Sequence, residues 1–260
     1  MLLLLSKLIG CILTASDGPI GHITAVFFDD QTWVIRYLVV DTGVWLAKRE
    51  VLISLNSISN MSTAHGKVDA SLTREQVKTS PDIDTHMPIS RQHEIAYQKH
   101  FTHPSFWRAK GAAQDQPFPM TAPLSSPYGE PAALLAGDYN DPTSVDSHLR
   151  SNLSVTGYAI IASDASIGHA SVGHVKDFIW DEQSRAISYL VVETGNLYTG
   201  GRCVLLAIHF VKSIAWETNS LRVALTRSEV EASREYDESQ PVKNISQESV
   251  AGSPKRLDSN

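Results

Sequence analysis

Cysteine is nearly missing from this 260-residue chain: Cys11 and Cys203 stand far apart and outside any CxxC spacing. That excludes a disulfide framework and a paired-cysteine zinc motif, and it fits a reducing cytoplasm. Positive charge is also in deficit, with 22 Lys and Arg against 28 Asp and Glu and a formal net charge of −6. Without a run of Lys or Arg, no direct grip on nucleic acid is expected, because that needs a basic face. Long apolar runs are lacking as well. The opening MLLLLSKLIGC has four leucines before Ser6 and Lys7 interrupt it. A secretory core needs roughly 7–15 apolar residues and a spanning helix about 20, so the segment reads as the lead-in to a first strand. A soluble chain without a membrane span is the expectation.

What is present is repetition. IRYLVVDTG at 35–43 returns as ISYLVVETG at 187–195. Aligned without a gap, Gly21–Gly43 and Gly173–Gly195 share 11 of 23 residues. Upstream, Ala15-Ser16-Asp17 matches Ala162-Ser163-Asp164, and the second copy carries about five extra residues around Ile167-Gly168-His169. Downstream, Leu72-Thr73-Arg74 matches Leu225-Thr226-Arg227. Units of roughly 80 residues, at 1–80 and 151–238, are domains and not solenoid repeats, which run to about 20–50 residues.

Within each unit the hydrophobic period is two. Gly21–Asp29, Trp33–Thr42 and Glu50–Leu55 are β-branched and aromatic runs bounded by turn residues, which predicts short antiparallel strands in a small barrel or sandwich. In the repeated strand Ile35, Tyr37 and Val39 share one face, while Leu38 and Val40 lie on the other, as do Leu190 and Val192 in the second copy. A strand apolar on both faces must be covered on both. One face is then the core of the unit, and the other needs a helix, the partner repeat or another subunit. Each unit closes on a capping box, Thr73–Gln76 and Thr226–Glu229, which predicts short helices near 74–79 and 227–234 with Val77 and Val230 packing inward. Between the units, 81–150 reads as a linker with a helix near 90–101, and seven of the twelve prolines fall in 104–142. The Ser-, Glu- and Asn-rich stretch 239–260 is expected to be disordered.

Two readings compete for the repeated Asp-Thr-Gly phrase. One acidic residue per duplicated half, Asp41 and Glu193, could form the paired carboxylates of an aspartic-protease-like enzyme, although Glu193 is a methylene too long for a symmetric pair. Alternatively Asp41 and Glu193 cap strand exits, with Gly43 and Gly195 supplying a positive φ. Asp17 and Gly18 mark a further structural turn. The pairs His100/His103 and His169/His174 have no carboxylate at ligand spacing and suit the surface, so neither a metal nor a cofactor is expected. His22 and His174 both follow a glycine at a strand start, where a structural role suits them. Asp29-Asp30 reads as a solvated hairpin turn. Trp33 and Trp216 suit a core. Trp45, beside Leu46 and just past the turn, suits an exposed contact, since aromatics are enriched at interface hot spots.

The run DGPIGHITAVFFDDQTWVIRYLVVDTGVWLAKREVLIS resembles the PRC-barrel, the module shared by the photosynthetic reaction-centre H subunit and the ribosome maturation factor RimM. LTREQVKTSPDIDTHMPISRQHEIAY and DSHLRSNLSVTGYAIIASD are similar to the inter-repeat segments of bacterial tandem PRC-barrel proteins. The resemblance implies an all-β fold with minor α: two small antiparallel PRC-type β-barrels joined by a helix-containing, Pro-rich linker. It also implies a non-enzymatic protein–protein docking module without catalytic residues; with the two lone cysteines, a cytoplasmic adaptor without a cofactor is expected. Arg185 stands where the first copy has Trp33, so the two units need not present the same surface. The candidate interaction surface is Leu38, Val40, Trp45, Leu46, Leu190 and Val192. Its expected partner is an unidentified protein, with homodimeric or intramolecular barrel pairing and peripheral association with a membrane complex both open. A ligand- or ion-responsive stress protein is the alternative from another class.

Overall fold

The computed structural model describes residues 1–81, 100, 148–165, 171–195 and 201–237. The expected helix near 90–101 (apart from His100), the Pro-rich stretch, the insertion near 167–169 and the 239–260 tail lie outside these residues. The described chain is mostly β, arranged as two seven-stranded sheets.

The first half supplies β1 (Leu2–Leu4), β2 (Ile12–Ala15), β3 (Gly18–Asp29), β4 (Ile35–Asp41), β5 (Glu50–Ser54), β6 (Ile58–Ser62) and β7 (Lys67–Ala70), followed by α1 (Arg74–Lys78). The second half supplies β8 (Leu149–Ser151), α2 (Asn152–Val155), β9 (Ala159–Ile161), β10 (Gly173–Asp181), β11 (Ile187–Thr194), β12 (Arg202–Ala207), β13 (Val211–Ala215), β14 (Ser220–Val223) and α3 (Arg227–Glu231). The sheets run β5-β4-β3-β2-β7-β6 and β12-β11-β10-β9-β14-β13. Strand for strand, that is the same order.

The remaining strand of each sheet comes from the other half. β1 pairs with β10, Leu2 opposite Asp181 and Leu4 opposite Ile179. β8 pairs with β3, Leu149 opposite Asp29 and Ser151 opposite Phe27. A bridge between Val34 and Ala186 joins the sheets where the two copies meet. Its flanking bonds run from Ile35 N–H to the Arg185 carbonyl at 2.9 Å and from Ile187 N–H to the Trp33 carbonyl at 2.8 Å. The main apolar core accordingly draws buried residues from both halves.

Neither sheet closes into a barrel, which corrects the expectation of two closed barrels. In the second sheet closure would need the edge strand β12 to take β13, but the outer edge of β12 already has a partner. Leu205 N–H donates to the Arg234 carbonyl at 3.1 Å and Tyr236 N–H to the Cys203 carbonyl at 2.8 Å. Curvature comes from β3 and β10, each broken by two register shifts against its hairpin partner, since a bulge bends and twists the strand that carries it.

The conserved spelling of the hairpin entrance has a steric cause. A Cβ on Gly21 would overlap the Asp41 carbonyl oxygen and lie 2.8 Å from its carbonyl carbon. A Cβ on Gly173 would collide in the same way with Glu193, 3.0 Å from its carbonyl carbon. Both capping boxes form, and Val77 and Val230 are fully buried beneath α1 and α3.

Two predictions follow from this geometry. Gly21→Ala should cost roughly 3 kcal/mol, because rigid backbone and not a flexible side chain is in the way, and thermal unfolding reads it. In α3 the Thr226 backbone N–H, and then its hydroxyl, donate to Glu229 and hold its carboxyl below the ordinary 4.5. A depressed carboxyl gives stability that is present above its unfolded value and lost as pH falls through the folded one. Acid should therefore loosen α3, and Glu229→Gln, which copies Gln76 of α1, should remove that pH dependence; an acid titration followed by amide exchange measures it.

Candidate functional site

The turn after β4 is built by its own residues. Asp41 accepts the Gly43 N–H at 2.8 Å, and Gly43 takes a φ of 60°, an Asx-type turn that starts a 3-10 turn over Gly43–Leu46. Ala47 and Lys48, both at positive φ, return the chain so that Lys48 N–H reaches the Gly43 carbonyl at 2.6 Å. The Thr42 hydroxyl donates to the Arg49 carbonyl at 2.7 Å. The Arg49 guanidinium then donates to the Lys78 carbonyl at 3.2 Å and the Ser80 carbonyl at 2.7 Å. It thereby satisfies carbonyls at the end of α1 that have no helical partner.

The second copy repeats the arrangement. Thr194 donates to the Arg202 carbonyl at 2.9 Å, and the Arg202 guanidinium to the Glu231 and Ser233 carbonyls at 2.6 and 2.8 Å. Gly195 has a φ of 103°, while Gly201 lies close against Glu193, where an added Cβ would stand 2.6 Å from Cγ. Asp17 and Asp164 are equivalent too: each accepts the first backbone N–H of its closing helix, from Arg74 at 2.8 Å and Arg227 at 2.9 Å. Beside Asp17, Gly18 has a φ of 146°. Asp41 and Glu193 sit in different sheets, Asp41 the last residue of β4 and Glu193 the last but one of β11.

Above the first turn stands an apolar tip. Val44 is 91% exposed, the most exposed large hydrophobic residue described. Trp45 and Leu46 are half-buried against the core. The Trp45 indole N–H donates to the Ile20 carbonyl, and the Arg74 guanidinium lies 4.3 Å over its ring, within cation–π range. An anchored aromatic thus holds an aliphatic side chain out in water.

The other four residues of the expected surface are elsewhere. Leu38, Val40, Leu190 and Val192 are all 0% exposed and belong to the shared core. The cover that their strands require comes from this chain, so none of the four is available to an external protein.

Asp29-Asp30 is likewise no solvated turn. Asp29 is fully buried, ion-paired to Arg36, and accepts the Gln31 and Thr32 N–H groups at 3.0 and 2.8 Å. Asp30 meets Arg150 at 3.0 Å and His148 at 3.1 Å, both from the segment that adds to β3. Arg150 also lies 4.8 Å over Trp216, which meets Tyr158 edge-on at 6.0 Å. Burial pushes the Tyr158 phenol up, with Arg150 pulling the other way. Trp33 is buried and stacks on Phe28 at 5.2 Å, whereas Trp216 is half-buried. His100 contacts the Gln76 carbonyl at 3.1 Å; His103, Trp107 and His169 lie outside the described residues, while His22 is exposed and His174 half-buried. His148, Arg150 and Asn152 escaped sequence reasoning, because a polar residue in or beside a three-residue strand carries no period.

Residues 2–77 match the family model of the PRC-barrel domain. No curated protein matches the chain. Among the described residues no helix is long and apolar enough to cross a membrane, which says nothing of strands.

Burial separates the two parts of the expected surface experimentally. Val44→Asp should leave the unfolding temperature within about a degree or two, as exposed substitutions do. Leu38→Lys should unfold the chain, since it places an unpaired ammonium in the core. Circular dichroism melts distinguish them directly.

Proposed function

We propose that this chain is a non-enzymatic docking module of PRC type, with a PRC unit in each half, that engages a protein partner through the tip at Val44, Trp45 and Leu46. The exposure of Val44 carries the reading. A large apolar side chain held out in water by a pinned turn gains from being covered. Support for a second unit comes from the identical strand order of the two sheets and from the capping box, threonine hook and arginine clamp present in each half. Asp41 supports a docking role over a catalytic one, since its carboxylate is engaged by its own turn.

On this reading the protein works in the cytoplasm, and Lys48 and Arg74 around the tip favour a partner with acidic groups beside an apolar contact. A membrane complex or a ribosomal assembly could present such a partner, and only the partner's identity chooses between them. Quantitative capture from the host lysate with the wild-type chain and with Val44→Asp tests the proposal. A near-stoichiometric protein lost with Val44→Asp is the expected result. A partner bound equally by both, or none above background, overturns the tip as the docking site.

A further inference from the structure

The two halves pair by exchanging equivalent segments, but those segments are not equivalent in chemistry. In the shared register Leu149, Arg150, Ser151 and Asn152 stand where Leu2, Leu3, Leu4 and Leu5 stand on the other side. Asn152 is 6% exposed, and its side-chain oxygen accepts the Val26 N–H at 2.9 Å. That amide lies one residue past the last β3–β8 pair, Phe27 with Ser151, where β8 has ended and no strand residue stands opposite. The matching amide, that of Phe178 in β10, is served differently, by the adjacent Asp177 at 2.7 Å. In the first half Ala25 stands at the Asp177 position and offers no acceptor. The first sheet therefore takes the acceptor for its buried amide from the second half, whereas the second sheet carries its own acceptor in Asp177, which also accepts the Ser6 N–H of the first half at 3.3 Å.

Pairing of the first half with a second copy of itself would bring β1 to β3 in place of β8. Leu5 would then replace Asn152 over the Val26 amide, and Leu3 would replace Arg150 beside Asp30. An unpaired buried amide weakens association by roughly tenfold to a hundredfold, and Asp30, its side chain only 10% exposed, would lose its arginine. Pairing of two second halves has the converse fault, since Asn152 would meet an amide that Asp177 already occupies.

We propose that Asn152, backed by Arg150, is a pairing key: the junction face of the first half accepts the second half and rejects a second copy of the first. The face is specific although the halves are duplicates, because one polar side chain answers one amide. The inference stands independently of the docking role assigned to Val44.

The Val34–Ala186 bridge gives a reporter. Its flanking bonds make it a non-hydrogen-bonded antiparallel pair, with Cα atoms about 4.5 Å apart, within the range a disulfide spans. In a Cys11→Ala/Cys203→Ser background, which leaves the introduced thiols alone in the chain, Val34→Cys faces Ala186 in the native pairing but would face its own copy if two first halves paired. The full-length variants are unfolded, refolded together and oxidised with oxidised glutathione. Val34→Cys should remain monomeric on non-reducing gels, and Val34→Cys/Ala186→Cys should close an intrachain bridge, which shows that the site can oxidise. Adding Asn152→Leu to Val34→Cys should raise the disulfide-linked dimer at least about tenfold, and Arg150→Leu should act in the same direction. Dimer from Val34→Cys with Asn152 intact, at yields matching the Asn152→Leu variant, would overturn the proposal. So would no increase from either added substitution in chains that circular dichroism shows to be folded. If Asn152→Leu fails to fold, Arg150→Leu and the Asn152-intact arm decide.

Discussion

Each sheet ends its longest strand against a segment borrowed from the other half, and this reciprocal exchange is the constraint on which the rest depends. The far ends of β3 and β10 would otherwise expose backbone donors and acceptors beside an apolar core, where unpaired groups are costly. β8 and β1 fill those places. Because each half completes the other, the core is continuous between them, and the inner faces of both central strands are consumed inside the chain. Any surface for another molecule has to lie away from the exchange, which is where the Val44 tip stands.

Duplication preserved geometry more strictly than chemistry. Positions whose residue meets a backbone carbonyl kept their identity: Gly21 and Gly173 beneath one, Thr42 and Thr194 hooking the turn, Arg49 and Arg202 clamping a helix end. Side-chain pairs were free to change. Thr24 and Glu50 meet at 3.5 Å in the first half, and the equivalent Lys176 and Cys203 meet at 3.5 Å in the second. The buried Asp29–Arg36 pair has no counterpart, since Ser188 takes the arginine's place. Such a pair adds little net stability but is expensive to break singly, which makes the first hairpin the less tolerant of the two.

Local devices were legible from the chain itself. Capping boxes, the Asx turn at Asp41 and the alternating strand faces each depend on residues within a few positions of one another. The apolar second face of the repeated strand announced that a cover was needed, but a helix, a second subunit and the sister unit satisfy that demand equally on paper. Asp29-Asp30 was misread for a related reason. Two adjacent acids between strands look solvated until the cations that bury them are known, and Arg150 arrives from far along the chain. Asn152 left no trace, because its role is set by an amide of β3, far back in the chain, just past the end of the β3–β8 ladder.

By itself, then, the sequence determined the duplication, the strand and turn content, the closing helices and the stereochemistry of each turn, since these follow from short-range sterics and hydrogen bonding. Only the tertiary structure decided that the sheets stay open, that the halves exchange strands, that Leu38, Val40, Leu190 and Val192 lie in a shared interior, and that Val44 is left outside. Those outcomes turn on which distant backbone edges find each other, and the free energy of that choice is spread over both halves of the chain.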